Sequence, residues 1–224
     1  MLARLLGLAV LCAACGTNRP DIPDELLQTG TGGGSAGYPE GPYAANFKTD
    51  VGKVIPNLTF EQGWMDPAAA AGDVSLLAPI SFSDFYDPDG TKGNEIMLIN
   101  TAAIWCGACK GEHGGTTKSP SLSEHYTELR PKGFVILSLL FEDNSSNPAT
   151  VNHLATWVET YETNFPFALD PAYQMEVFGS PKANAPLNLA VDLRNMKLLA
   201  GWVGDQSQLI WPFIEQELDA RQAQ

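Results

Sequence analysis

Positive charge is scarce in this sequence. Its 224 residues carry 13 Lys and Arg against 26 Asp and Glu, a net charge of −13. Nucleic-acid binding needs clustered Lys and Arg to neutralise phosphates, so that class of partner is excluded. The same sign argues against general adsorption to anionic lipid. Cysteine is scarce as well: only Cys12, Cys15, Cys106 and Cys109 occur. So few sulfurs do not make a disulfide-stapled scaffold. No apolar run approaches the ~20 residues that a membrane-spanning helix needs. What is present is an ordinary globular balance, 44% apolar and 17% charged, which rules out a wholly disordered or collagen-like chain.

The N-terminus reads as a targeting segment. Met1 to Arg4 carries one positive charge, and the apolar run Leu5 to Ala14 follows. That is the pattern of a secretory signal. The run ends in Leu11-Cys12-Ala13-Ala14-Cys15-Gly16, small residues immediately before a Cys. This resembles the lipobox of bacterial lipoproteins, with Cys12 departing from the Leu usual three positions before the lipidated Cys. The resemblance implies cleavage before Cys15, a signal peptide over 1–14, and lipidation of Cys15. The plainer alternative is a secretory signal with a chance Cys. Residues 16–50 contain 7 Gly and 4 Pro in 35 positions. Such composition predicts a flexible tether, making 15–50 a linker between membrane and domain. Residues 51–224 remain for one compact domain.

Within that domain the apolar patterning predicts α/β architecture. Val54 to Phe60 reads as an edge strand, because Pro56 cannot donate to a ladder. Glu95 to Asn100 and Gly133 to Phe141 are continuous apolar runs, as expected of strands covered on both faces. About thirty residues separate them, enough for a helical crossover that Pro120 interrupts. A helix is expected at 148–163, where Val151, Leu154, Ala155, Val158 and Tyr161 repeat at helical spacing. Leu187 to Asp192 and Lys197 to Val203 read as two strands joined by a turn at Arg194-Asn195. Gln208 to Arg221 closes the chain as a helix, begun or kinked near Pro212. The expected result is a mixed central sheet flanked by helices, with an N-terminal extension.

The chemistry is carried by Trp105-Cys106-Gly107-Ala108-Cys109. A C-x-x-C between a buried strand and a helix puts its first sulfur at a helix N-terminus. The unpaired N–H groups and positive dipole end there stabilise a thiolate. The thiol pKa then falls below the free value of about 8.5. Redox exchange and metal binding both remain open from the spacing alone. Zinc normally takes four protein ligands, and only His113, among three scattered histidines, could join the two cysteines. A histidine in that position is more often simply solvated.

These residues resemble the thioredoxin active site, and the wider pattern is similar to the exported, membrane-anchored TlpA/ResA-like branch of the thioredoxin superfamily. The resemblance covers roughly 51–224. Asn100 lies six residues before Cys106, where this branch often has Asn. Glu112 completes a C-x-x-C-x-x-E pattern. Pro186 matches the cis-Pro that faces the cysteines in this fold, and Asp192 follows it by six residues. Ala108, Ala185 and Gly114-Gly115 depart from the commoner residues of the pattern, and the two glycines are expected to loosen the helix after Glu112.

The resemblance implies a thioredoxin-like fold and an extracytoplasmic thiol–disulfide oxidoreductase, lipid-anchored to a bacterial membrane on its periplasmic or outer-membrane side. Cys106 is then the nucleophile and Cys109 the resolving thiol, with Trp105, Asn100, Glu112 and Pro186 in support. Exported proteins with cysteines or disulfides, including apocytochromes, are the implied substrates, and a membrane thiol donor the implied electron source. No cofactor and no metal is implied. Two alternatives share the fold. A peroxiredoxin-type peroxidase has Thr three residues before its reactive Cys, where Ala103 stands here. A copper chaperone uses C-x-x-x-C with a late His, and no His follows His153.

Overall fold

Two strands buried along their whole length organise the molecule: β3 (Ile96–Ala103) and β4 (Phe134–Glu142). They pair in parallel at the centre of a seven-stranded mixed sheet. The computed structural model describes residues 37–223. Cys15 and the signal assigned to 1–14 lie outside the described residues.

The other strands are β1 (Thr59–Trp64), β2 (Ala78–Ser81), β5 (Phe167–Leu169), β6 (Leu187–Asp192) and β7 (Lys197–Val203). The sheet order is β2-β1-β5-β4-β3-β6-β7. Strand β5 runs parallel to β4, and β6 runs antiparallel to both β3 and β7. The helices are α1 (Pro67–Ala70), α2 (Gly107–Gly114), α3 (Leu122–Leu129), α4 (Val151–Thr160), α5 (Pro181–Asn184) and α6 (Ser207–Gln222).

The continuous apolar runs have the cause that sequence suggests. Ile96 and Leu98 of β3, with Phe134 and Ile136 of β4, pack on one face with Leu122 and Leu129 of α3 and Ile210, Ile214 and Leu218 of α6. Met97, Ile99, Val135 and Leu137 point the other way, into a core with Phe47, Ile55, Leu58, Phe60 and Phe178. Side chains alternate faces along a strand, so both sets are apolar. The helix breaks also fall where expected. Ser121, just after Pro120, starts α3 with a reciprocal capping box to Glu124. Helix α2 stops at Gly114, with Gly115 at φ +73°, a conformation that favours glycine. Helix α6 begins at Ser207 and keeps Pro212 inside it.

Two expectations need correction, and one short strand escapes the sequence reading. The tether does not run to residue 50: Tyr38, Ala44 and Phe47 are buried in the core beside β6 and β7, and the Tyr38 hydroxyl donates to the Ile55 carbonyl at 3.0 Å. Three aromatics, Tyr38, Tyr43 and Phe47, give this Gly- and Pro-containing stretch enough apolar surface to pack. The first strand is Thr59–Trp64 rather than 54–60, and it lies inside the sheet between β2 and β5. One sheet edge is β2, which contains Pro79, so the rule placing Pro at an edge holds with a different proline. Strand β5 is three residues long and follows Pro166, too short to show a period.

Candidate active site

The run out of β3 sets the cysteines. Cys106 is the N-cap of α2, with φ −80° and ψ 110°, and its Sγ accepts the Cys109 N–H at 3.1 Å. Cys106 and Cys109 are joined in a disulfide with their Cα atoms 5.3 Å apart. Cys106 is 4% exposed and Cys109 0%, so the first sulfur is the one on the solvent side. In the reduced protein the same amide and the α2 dipole end favour a thiolate on Cys106.

Thr101 connects this turn to the loop before β6. Its carbonyl oxygen lies 3.9 Å from Cys109 Sγ, and its hydroxyl accepts the Leu187 N–H at 2.9 Å. The peptide bond just before, Ala185–Pro186, is cis. Ala185 packs against the cluster that contains both cysteines. The Pro186 carbonyl accepts the Gly204 N–H at 2.9 Å, which brings the β7–α6 loop to the same place.

Beneath the cysteines lies a buried polar network. Asn100 of β3 sits opposite Asn188 of β6 in the antiparallel register. Asn100 Nδ2 donates to Asn188 Oδ1 and to Glu112 Oε2, both at 2.8 Å, and Asn188 Nδ2 donates to Glu112 Oε1 at 2.9 Å. Asn100 Oδ1 accepts the Ser138 hydroxyl at 3.0 Å and faces His113 Nε2 at 3.2 Å. Burial raises the Glu112 carboxyl to about 8, although the bonds from Asn188 and Asn100 favour its charged form. Burial also lowers His113 to about 3, so its ring is neutral and its Nε2–H donates to Asn100. His113 is therefore not a solvated residue. It is 2% exposed, edge-on to Trp157 and stacked on Phe167, and it faces Asn100 instead of the cysteines.

A second cluster holds Trp105. Glu142, the last residue of β4, is 1% exposed and accepts the Trp105 indole N–H and the Tyr173 hydroxyl, each at 2.8 Å. The Lys182 ammonium pairs with the same carboxylate and lies 5.3 Å from the centre of the Tyr173 ring. Burial opposes ionisation of Glu142, but the bonds from Lys182, Trp105 and Tyr173 outweigh it and hold the carboxyl below its usual value. Tyr173 is pushed up to about 12, by burial first and then by its bond to Glu142. Trp105 itself is 37% exposed, so its indole forms part of the rim beside Cys106.

The structure thus draws Trp105, Cys106, Cys109, Asn100 and Glu112 together, and it places the Pro186 loop against them through Thr101. Sequence reasoning did not single out Asn188, Thr101, Glu142, Tyr173 or Lys182. Glu142 left one trace, an acid ending a nine-residue apolar run. Asn188 stands two residues after Pro186, inside the strand already read as apolar.

No family model matches the chain, and no curated protein matches it. Solved structures do. A protein from Chlorobium tepidum, assigned as thiol:disulfide interchange protein DsbE, superposes with a TM-score of 0.53 at 18% identity, over 76% of this chain and 96% of that one. A secreted thiol-disulfide isomerase from Corynebacterium glutamicum gives 0.55 at 16% identity, over 77% and 89%. A thiol:disulfide interchange protein from a Bacteroides species gives 0.52 at 16%, over 74% and 88%. These likenesses establish the fold alone, and that fold is thioredoxin-like.

Proposed function

We propose that this protein is an extracytoplasmic thiol–disulfide oxidoreductase, attached to a bacterial membrane through a lipidated Cys15. The observation that carries the reading is the Cys106–Cys109 bond at the N-terminus of α2, with a helix amide directed at Cys106 Sγ. The superposed proteins are described as thiol:disulfide interchange and thiol-disulfide isomerase proteins, which supports the same chemistry.

The geometry supports a two-step exchange. In the reduced protein the Cys106 thiolate attacks a substrate disulfide, forming a mixed disulfide and releasing one substrate thiolate. Cys109, three residues on and one helical turn away, loses its proton and attacks Cys106 Sγ. The Cys106–Cys109 bond forms, the second substrate thiolate leaves, and two electrons have passed to the substrate. Run backwards, the same steps oxidise a substrate dithiol. The rim of Trp105 and the Ala185–Pro186 loop is where a substrate polypeptide would lie. The substrates are exported proteins with cysteines or disulfides, and a membrane thiol carrier is the electron donor.

The test is a pair of single variants in an insulin-reduction assay. Cys106→Ser abolishes turnover, whereas Cys109→Ser accumulates mixed disulfides through Cys106. Alkylation of the reduced wild type at neutral pH labels Cys106 first. Preferential labelling of Cys109 would overturn the assignment of roles.

A further inference from the structure

Glu142 and Lys182 form an ionised pair built against the Cys106 turn. Ala103 of β3 sits opposite Glu142 of β4, and the Ile104 N–H donates to the Glu142 carbonyl at 2.9 Å. The Glu142 side chain then holds the indole of Trp105, the residue before Cys106. Lys182 comes from α5, four residues before Pro186, and approaches the same carboxylate over the Tyr173 ring. By contrast, the network under Cys109 is uncharged near neutral pH, since Glu112 holds its proton and His113 is neutral.

We propose that the Lys182–Glu142 pair sets the redox balance of the Cys106–Cys109 couple, Lys182 acting as a positioning residue whose charge offsets that of Glu142. This deepens the oxidoreductase reading and rests on it. The disulfide form bears no charge on sulfur, whereas the dithiol form bears a thiolate on Cys106. Nearby charge therefore acts on one side of the equilibrium only. A balanced pair leaves little net field at the sulfur. An unpaired Glu142 carboxylate disfavours the thiolate and shifts the couple toward disulfide. An unpaired Lys182 ammonium favours the thiolate and shifts it toward dithiol. The two members act with opposite sign, which loss of a merely structural tie cannot produce.

The test equilibrates the full-length protein with graded mixtures of reduced and oxidised glutathione. Two glutathione thiols are oxidised to one glutathione disulfide and release two protons; the Cys106–Cys109 bond takes up the electron pair and one proton on Cys109, and the other proton goes to the buffer while Cys106 stays a thiolate. Lys182→Met, at a half-exposed side chain, is expected to move the constant severalfold toward disulfide. Glu142→Gln, of nearly the same shape, is expected to move it severalfold toward dithiol, and the double variant falls between the singles. Lys182→Arg stays near wild type. A threefold change corresponds to about 14 mV. The Cys106 thiol pKa moves up in Lys182→Met and down in Glu142→Gln. Singles that shift in the same direction, or a single that does not shift the constant, overturn the proposal. A wild type that does not exchange with glutathione at all overturns the oxidoreductase reading beneath it.

Discussion

Glu112 is the residue whose environment contradicts its usual chemistry. Its folded pKa of about 8 lies well above the ordinary 4.5 because burial disfavours the charge. Between those values the folded chain holds a proton that the unfolded chain has lost, so this residue's contribution to stability falls as pH rises. The fall is on the order of 4 kcal/mol between about pH 5 and about pH 8. Glu112→Gln does not titrate, but its amide N–H must face the Nδ2 donors of Asn100 or Asn188, a cost of about 1–3 kcal/mol. Denaturant unfolding of the two proteins across this range is therefore expected to show the wild type's advantage shrinking as pH rises. Burial also raises the Asp170 carboxyl, which follows β5, to about 7, but this group and His113 are present in both proteins and drop out of the difference. A constant difference would place Glu112 in an unshifted state. At this scale the resemblance points to Asn100 and Glu112 by their distance from the C-x-x-C, and the structure joins the two by a hydrogen bond. The sequence could not disclose Asn188 or Lys182. Asn188 meets Asn100 through the β3–β6 register, across 88 residues, and Lys182 meets Glu142 through the fold of a loop.

Elements with an internal period were readable, and elements defined by what covers them were not. Strands β3, β4, β6 and β7 and helices α4 and α6 lie within a few residues of their expected places, since each carries its own apolar pattern. The segment 38–50 has no period, and it reads together with the Gly- and Pro-rich residues that precede it, yet it closes one face of the sheet. Phe47 is 6% exposed and lies against Gly201 of β7, where an added Cβ would come within 2.9 Å of the Phe47 ring. Glycine at 201 is what lets the segment approach. Phe47→Ala is expected to cost about 3–5 kcal/mol, the usual range for removing a buried aromatic ring. Gly201→Ala is expected to cost about 1–3 kcal/mol by forcing that ring outward. Chemical denaturation reads both. A Phe47→Ala protein as stable as the wild type would restore the segment to the tether.

Across the whole molecule, the described chain begins far from its cysteines. The Tyr38 ring lies 5.9 Å from that of Tyr86, and its hydroxyl bonds to Ile55, whose N–H donates to Met196 in the β6–β7 turn. That turn is at the end of the sheet where β3 starts, since Ile96 pairs with Asp192. The cysteines follow the other end of β3. The seven steps of ~3.3 Å along its eight residues put roughly 23 Å between the two ends. Cys15 lies 23 positions before Tyr38. If Cys15 carries the lipid, the domain is held by the pole opposite its active site, and anchoring leaves the Trp105 rim open to polypeptides in the surrounding compartment. Mass spectrometry of the mature N-terminus is expected to find Cys15 acylated, and Cys15→Ser is expected to leave the membrane fraction, because multiple acyl chains are what make such attachment stable. In vesicles carrying the reduced wild type, a bulky polymer-linked maleimide is expected to label Cys106 about as fast as it labels soluble Cys15→Ser. Labelling that appears only after detergent would mean that the anchored protein turns its cysteines toward the bilayer, and that its partners reach it from within the membrane plane.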